Sequence, residues 1–114
     1  MDKPRTGATE DAPFEMANLR PRTTGLPFVV FVSQRGGARH EPRVKISPLP
    51  RYNPEKAISV TLERPPVALG QLPPSDFELV ARWIELNRAV LEGYWNGDIE
   101  YTEDLLERIR PIGA

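Results

Sequence analysis

The side chain best suited to carry a proton near neutral pH is histidine, and this chain has one. It lies in the stretch Ala38-Arg39-His40-Glu41-Pro42-Arg43-Val44-Lys45-Ile46-Ser47, between arginines. His40 could serve as a general base, with Glu41 beside it. Consecutive side chains on an extended strand point to opposite sides, however, so these two do not form a pair with each other. A hydroxyl nucleophile such as Ser33, Ser47 or Ser59 needs a base within hydrogen-bond reach, which a linear sequence does not establish. Cysteine is absent, so there is no thiolate nucleophile, disulfide framework or Cys-ligated metal. A single histidine argues against zinc, which needs three or four Cys, His or carboxylate ligands held together. The templates for nucleotide phosphates, zinc and calcium are not met, and Gly36-Gly37 alone is not a phosphate loop. The inventory points away from catalysis, and no cofactor is expected.

The cations around His40 point elsewhere. Arg35, Arg39, Arg43, Lys45 and Arg51 lie in or beside one glycine-containing turn, and they are the candidate contacts to a nucleic acid or another anion. If Arg43, Lys45, Ser47, Ser59 and Thr61 share one outer sheet face, with Phe31 or Val30 beside them, that face could contact phosphates and stack a base. Against this, basic outward residues on a strand are ordinary solvated surface. The isoelectric point near 5.9 is also well below that of a typical nucleic-acid-binding domain.

The formal net charge of −1 hides a segregation. Residues 1–72 carry eleven Lys or Arg against seven Asp or Glu, and residues 73–114 carry four against nine. Charge separated along a chain can mean an anionic partner for the basic part. It can equally mean that the two halves attract each other, or that two copies do.

The elements that must position these residues follow from patterning. At 114 residues, 39% apolar and 27% charged, the chain has the length of one domain with a small core. Residues 1–24 read as a flexible tail, because Phe14, Met16 and Leu19 are too few large apolar groups to offset the entropy of ordering it. The competing reading is that residues 14–19 dock as one short turn. Order is expected from Gly25, with residues 25–114 forming a single domain. Leu26–Ser33 is β-branched and aromatic with two apolar faces, so this strand must be covered twice. Arg43–Ser47 and Ala57–Glu63 alternate strictly and complete an antiparallel meander. Val67–Leu69 is the candidate for a fourth short strand.

The long helix is the strongest signal. Ser75 and Glu78 have capping-box spacing. Apolar residues then recur at helical spacing from Phe77 to Trp95, Leu86 among them, with Glu78, Arg82, Glu85, Arg88 and Glu92 assigned to the opposite face. Gly93 and Asn96-Gly97 mark its end. A second, shorter helix starts at Thr102, with Leu105, Leu106 and Ile109 as its apolar face, and Pro111 stops it. Asn87 falls within the apolar half. A buried amide needs partners, so Asn87 is read as a polar link inside the core, to a strand or loop backbone; the alternative is a donor lining a pocket.

Gln71-Leu72-Pro73, the run Val80-Ala81-Arg82-Trp83-Ile84-Glu85-Leu86-Asn87-Arg88-Ala89-Val90-Leu91, Trp95, and the closing Arg108-Ile109-Arg110-Pro111-Ile112 together resemble a family of small bacterial proteins classed as a domain of unknown function. That family has the helix pattern Glu-Trp-x-x-Leu-His/Asn-Arg-x-x-Leu-x-x-x-Trp, and its genes often sit in toxin–antitoxin-like pairs. The resemblance runs from Gly25 to Ile112 and implies an interaction partner and an antitoxin-like role; it carries no catalytic residues. The family's His-Phe-His strand falls on Glu41, Pro42 and Arg43, with His40 one place early. Whatever chemistry paired histidines perform in relatives, this chain lacks the pair.

The expectation is therefore an α+β fold: a small antiparallel sheet of three or four strands, one long amphipathic helix packed on one face, and a short C-terminal helix. No apolar run reaches the length of a membrane span, and the N-terminus has no apolar core of a signal peptide. The chain reads as a cytoplasmic bacterial protein with a protein partner or a homo-oligomeric state. Nucleic-acid contact through residues 35–51 is the alternative.

Overall fold

The structure, a computed structural model, describes residues 16–36, 39–47 and 56–113. It is an α+β fold. The elements are β1 (Met16–Leu19), α1 (Pro21–Thr24), β2 (Val29–Ser33), β3 (Arg43–Ser47), β4 (Ile58–Thr61), α2 (Pro74–Asn96) and α3 (Thr102–Arg108). The strands form one antiparallel sheet in the order β1-β2-β3-β4.

The register explains the core. Leu19, Val30, Ile46 and Ile58 form one cross-strand row, and Ala17, Val32, Val44 and Val60 form the next. Side chains alternate across a strand, so both rows face the same way, toward Val80, Trp83, Ile84, Leu91 and Tyr94 of α2 and Leu105 of α3. Fully burying groups of this size stabilises by about 1.5–3 kcal/mol each, which makes this layer the main source of stability.

Residues 16–24, read from the sequence as the end of a flexible tail spanning residues 1–24, are part of the fold as β1 and α1. Ala17 and Leu19 are 1% and 0% exposed, and β1 pairs with β2 through four residues. Two inward groups suffice because the backbone hydrogen bonds of an otherwise open edge of β2 are satisfied at the same time. Pro21 then occupies the first turn of α1, and Gly25, at φ +78°, closes it by donating its N–H to the Pro21 carbonyl. Residues 1–15 lie outside the described residues. At the opposite edge, Val67–Leu69 contributes a single bridge, Ala68 to Val60, and no full strand.

Helix α2 differs from expectation in three places. It begins at Pro74, after an N-cap at Pro73, and no side chain caps it. Proline is preorganised for the first helical position, which leaves Ser75 one residue inside the start and the capping box unformed. Leu86, expected on the apolar face, is 45% exposed, and Arg88, expected in solvent, is 5% exposed. The buried stripe is Val80, Trp83, Ile84, Asn87, Arg88, Leu91, Tyr94 and Trp95. Arg88 falls on it four residues after Ile84 and three before Leu91, whereas Leu86 lies about 200° round the helix from Ile84. The helix is also kinked at Asn87, whose φ of −113° and ψ of 16° are not helical. In α3, Leu105 is buried but Leu106 is exposed.

Burial of Arg88 is compensated. Its guanidinium donates to the carbonyls of Leu62 and Glu63 where the chain leaves β4, and to the Glu85 carboxylate, with Nη2 at 2.7 Å from Oε2. Glu92 lies 3.7 Å away on its other side. These contacts clamp α2 to the end of the sheet.

Candidate interaction surface

The hairpin between β2 and β3 leans on the end of α2. Gln34 Nε2 donates to the carbonyls of Ile99 (3.3 Å) and Glu100 (2.8 Å), and the Arg35 N–H donates to the Trp95 carbonyl (3.0 Å). The His40 ring sits with its centroid 5.4 Å from that of Trp95, at 39°. Its Nδ1 lies 2.8 Å from the Glu41 carbonyl; a carbonyl only accepts, so the proton is on Nδ1. His40 thus caps a buried indole. Among the described residues, no group of three or more His, Cys, Asp or Glu is placed to hold a metal ion.

The expected cations divide into three kinds. Arg35, Arg39 and Lys45 are exposed, and no described residue forms an ion pair with them. Arg43 is half-buried, donates to Glu41 at 3.2 Å, and has a buried Nε without a partner. Arg51 lies outside the described residues. The outer sheet face does bring Lys45 beside Ser59 and Phe31, and Arg43 beside Thr61. Val30 belongs to the core instead. Two of the three hydroxyls are not at the surface: Ser47 and Thr61 are buried, Ser59 is half-buried, and Thr61 Oγ1 accepts from the N–H groups of Val67 (3.0 Å) and Glu63 (3.4 Å). Among the described residues, that face offers an anion one fully exposed cation, Lys45, rather than a ring of donors.

Because Gln34 holds the Ile99 and Glu100 carbonyls, the hairpin is brought beside the acidic turn that joins α2 to α3. Asp98 and Glu100 are exposed there, Glu103 is exposed in the first turn of α3, and between them Tyr101 is 54% exposed. The ion pairs among the described residues are Arg43–Glu41, Arg88–Glu85 and Arg88–Glu92; none joins the hairpin to the acidic turn. Among the described residues, one end of the fold therefore carries both signs of charge with no ion pair between them, and an exposed aromatic ring on its acidic side. No family model, curated protein or solved structure matches this chain. The surface has to be read from its own chemistry.

Gln34 and Tyr101 escape a reading of the sequence alone. Gln34 is one polar residue after a strand, and its partner is 66 positions away. Tyr101 does carry a signal, an aromatic residue amid Asp98, Glu100, Glu103 and Asp104, where a packed core is implausible on charge grounds.

Asn87 lies elsewhere, at the base of a cleft of about 550 Å³ between α2 and α3 that is also lined by Leu86, Val90, Arg108, Ile109 and Arg110. Its Nδ2 donates to the carbonyls of Trp83 and Arg110, both at 3.0 Å, and its Oδ1 accepts from the Arg110 N–H at 2.7 Å. Both amide hydrogens are committed to backbone, which leaves none for a ligand. Among the described residues no helix is long and apolar enough to cross a membrane.

Proposed function

We propose that this chain is a cytoplasmic protein-interaction module that docks through the end of the fold where the hairpin meets the turn between α2 and α3. The observation that carries the reading is the exposed Tyr101 amid exposed Asp98, Glu100 and Glu103, on a turn that Gln34 holds beside the hairpin carrying the exposed Arg35 and Arg39. Aromatic and arginine side chains are the groups that most often anchor protein contacts, and charges of both signs fix orientation. The resemblance of α2 to proteins encoded in toxin–antitoxin-like gene pairs supports a partner-dependent, antitoxin-like role. The nucleic-acid reading is weaker, because the acidic turn beside Arg35 and Arg39 repels phosphate.

The test is a photoreactive phenylalanine analogue placed at position 101 and irradiated in cells. The expected result is one discrete protein adduct that disappears when Arg35 and Arg39 are both changed to Glu. An adduct to nucleic acid, or no adduct, overturns the reading.

A further inference from the structure

We infer that the partner fitting this end of the fold is a second copy of the same chain, related by a two-fold axis at the seam where the hairpin meets the turn. The inference rests on the interaction reading above and names its partner.

The argument is one of sign and order. Arg35 and Arg39 lie on the hairpin side of the patch, and Asp98, Glu100 and Glu103 on the turn side, with the Gln34 hydrogen bonds to Ile99 and Glu100 holding the two side by side. A partner of one sign is repelled by half of such a patch, and like charges brought together at an interface cost several kcal/mol. The complement is a surface that carries the same two signs in reversed order. A two-fold axis generates that surface from the patch itself: in an isologous contact each hairpin meets the other copy's acidic turn, and the reciprocal contact follows by symmetry. Tyr101, exposed on the turn side, adds aromatic area of the kind that protein interfaces favour. An interface whose orientation comes from exposed charges is salt-sensitive. Raising the salt from about 0.1 M to about 1 M shortens the screening length from about 10 Å to about 3 Å.

The experiment is light scattering with sedimentation analysis of the full chain, together with two charge-reversal variants, R35E/R39E and D98K/E100K. All four positions are exposed, and circular dichroism checks that the variants fold. The wild type should be a dimer at low salt whose dissociation constant rises at least tenfold at high salt. Each variant alone should be monomeric. An equimolar mixture of the two should restore a 1:1 dimer, because each reversed hairpin then faces a reversed turn. A wild-type monomer at every salt concentration, a dimer indifferent to salt, or concentration-dependent polymers would each overturn the two-fold contact. If a variant does not fold, the wild-type salt series alone decides. A monomeric wild type that still gives a position-101 adduct to a different protein sinks the dimer and keeps the interaction reading. A monomer without an adduct sinks both.

Discussion

Asn87 holds the backbone of Arg110 from both sides: its Nδ2 donates to the Arg110 carbonyl at 3.0 Å, and its Oδ1 accepts from the Arg110 N–H at 2.7 Å. A side-chain amide thereby does for residues 109–112 what a neighbouring strand would do. The kink at Asn87 falls at the residue that makes this contact.

Replacing Asn87 with Ala should lower unfolding stability by about 2–3 kcal/mol in urea titrations, since it orphans polar backbone groups costing about 1–3 kcal/mol each when buried. The selective readout is hydrogen exchange at the Arg110 amide, which should lose its protection even where the strands keep theirs. An unchanged Arg110 exchange rate would show that the grip is dispensable.

Gly25 presses on the same segment. A Cβ there would lie 2.4 Å from the Ile112 carbonyl oxygen, and the backbone has φ +78°, so Gly25→Ala combines strain with a clash against main chain. It should destabilise by more than about 1 kcal/mol. Combined with Asn87→Ala, the loss should be less than the sum, because both changes release one segment. Strict additivity in that double-mutant cycle would separate the two ends of residues 109–112.

Arg88→Met keeps most of the stem that packs in the core but leaves the Leu62 and Glu63 carbonyls without their donor. Hydrogen bonds to a charged group contribute about 1.5–3 kcal/mol, so a loss of that order is expected in thermal or urea unfolding. Arg88→Lys should recover little of it. One ammonium cannot span two carbonyls and the Glu85 carboxylate as a planar guanidinium does.

The same cluster has a pH signature. The hydrogen bond from Arg88 holds the Glu85 carboxyl below its ordinary value of 4.5. A folded-state value below the unfolded one means that Glu85 contributes stability above pH 4.5, and that the contribution fades as pH falls through the depressed value. The stability difference between wild type and Glu85→Gln should therefore be present at neutral pH and close in acid. Arg88 itself is pushed up from a value already far above neutrality, so it adds no pH dependence in this range. A gap that widens in acid would contradict the hydrogen-bond assignment.

How far these features can be read from sequence depends on whether they are local. The apolar run at 28–32 announces a central strand covered on both faces, and the alternation at 43–47 and 58–61 announces its neighbours. β1 is hidden because only Ala17 and Leu19 point inward from a polar stretch; its stability comes from pairing with β2, which composition does not record. Leu86 and Arg88 are misplaced by residue type, not by period: helical spacing already puts 88 on the stripe and 86 off it. At the candidate surface, the arginines are visible as charges. Their juxtaposition with Asp98, Glu100 and Tyr101 depends on Gln34 reaching across to a distant turn, and no periodicity encodes that reach.

The grip on residues 109–112 has a consequence for synthesis. Ile112 donates its N–H to the Thr24 carbonyl at 2.8 Å, so the stretch that locks α1 is synthesised after the described strands and helices, β1 to α3. Contacts of such long separation form slowly and leave unfinished chains with open apolar surface. Until residue 112 is free to fold back, the nascent chain can pair its strands but cannot fasten the end of α1, and a ribosome stalled near α3 would hold a chain exposed to proteases and chaperones.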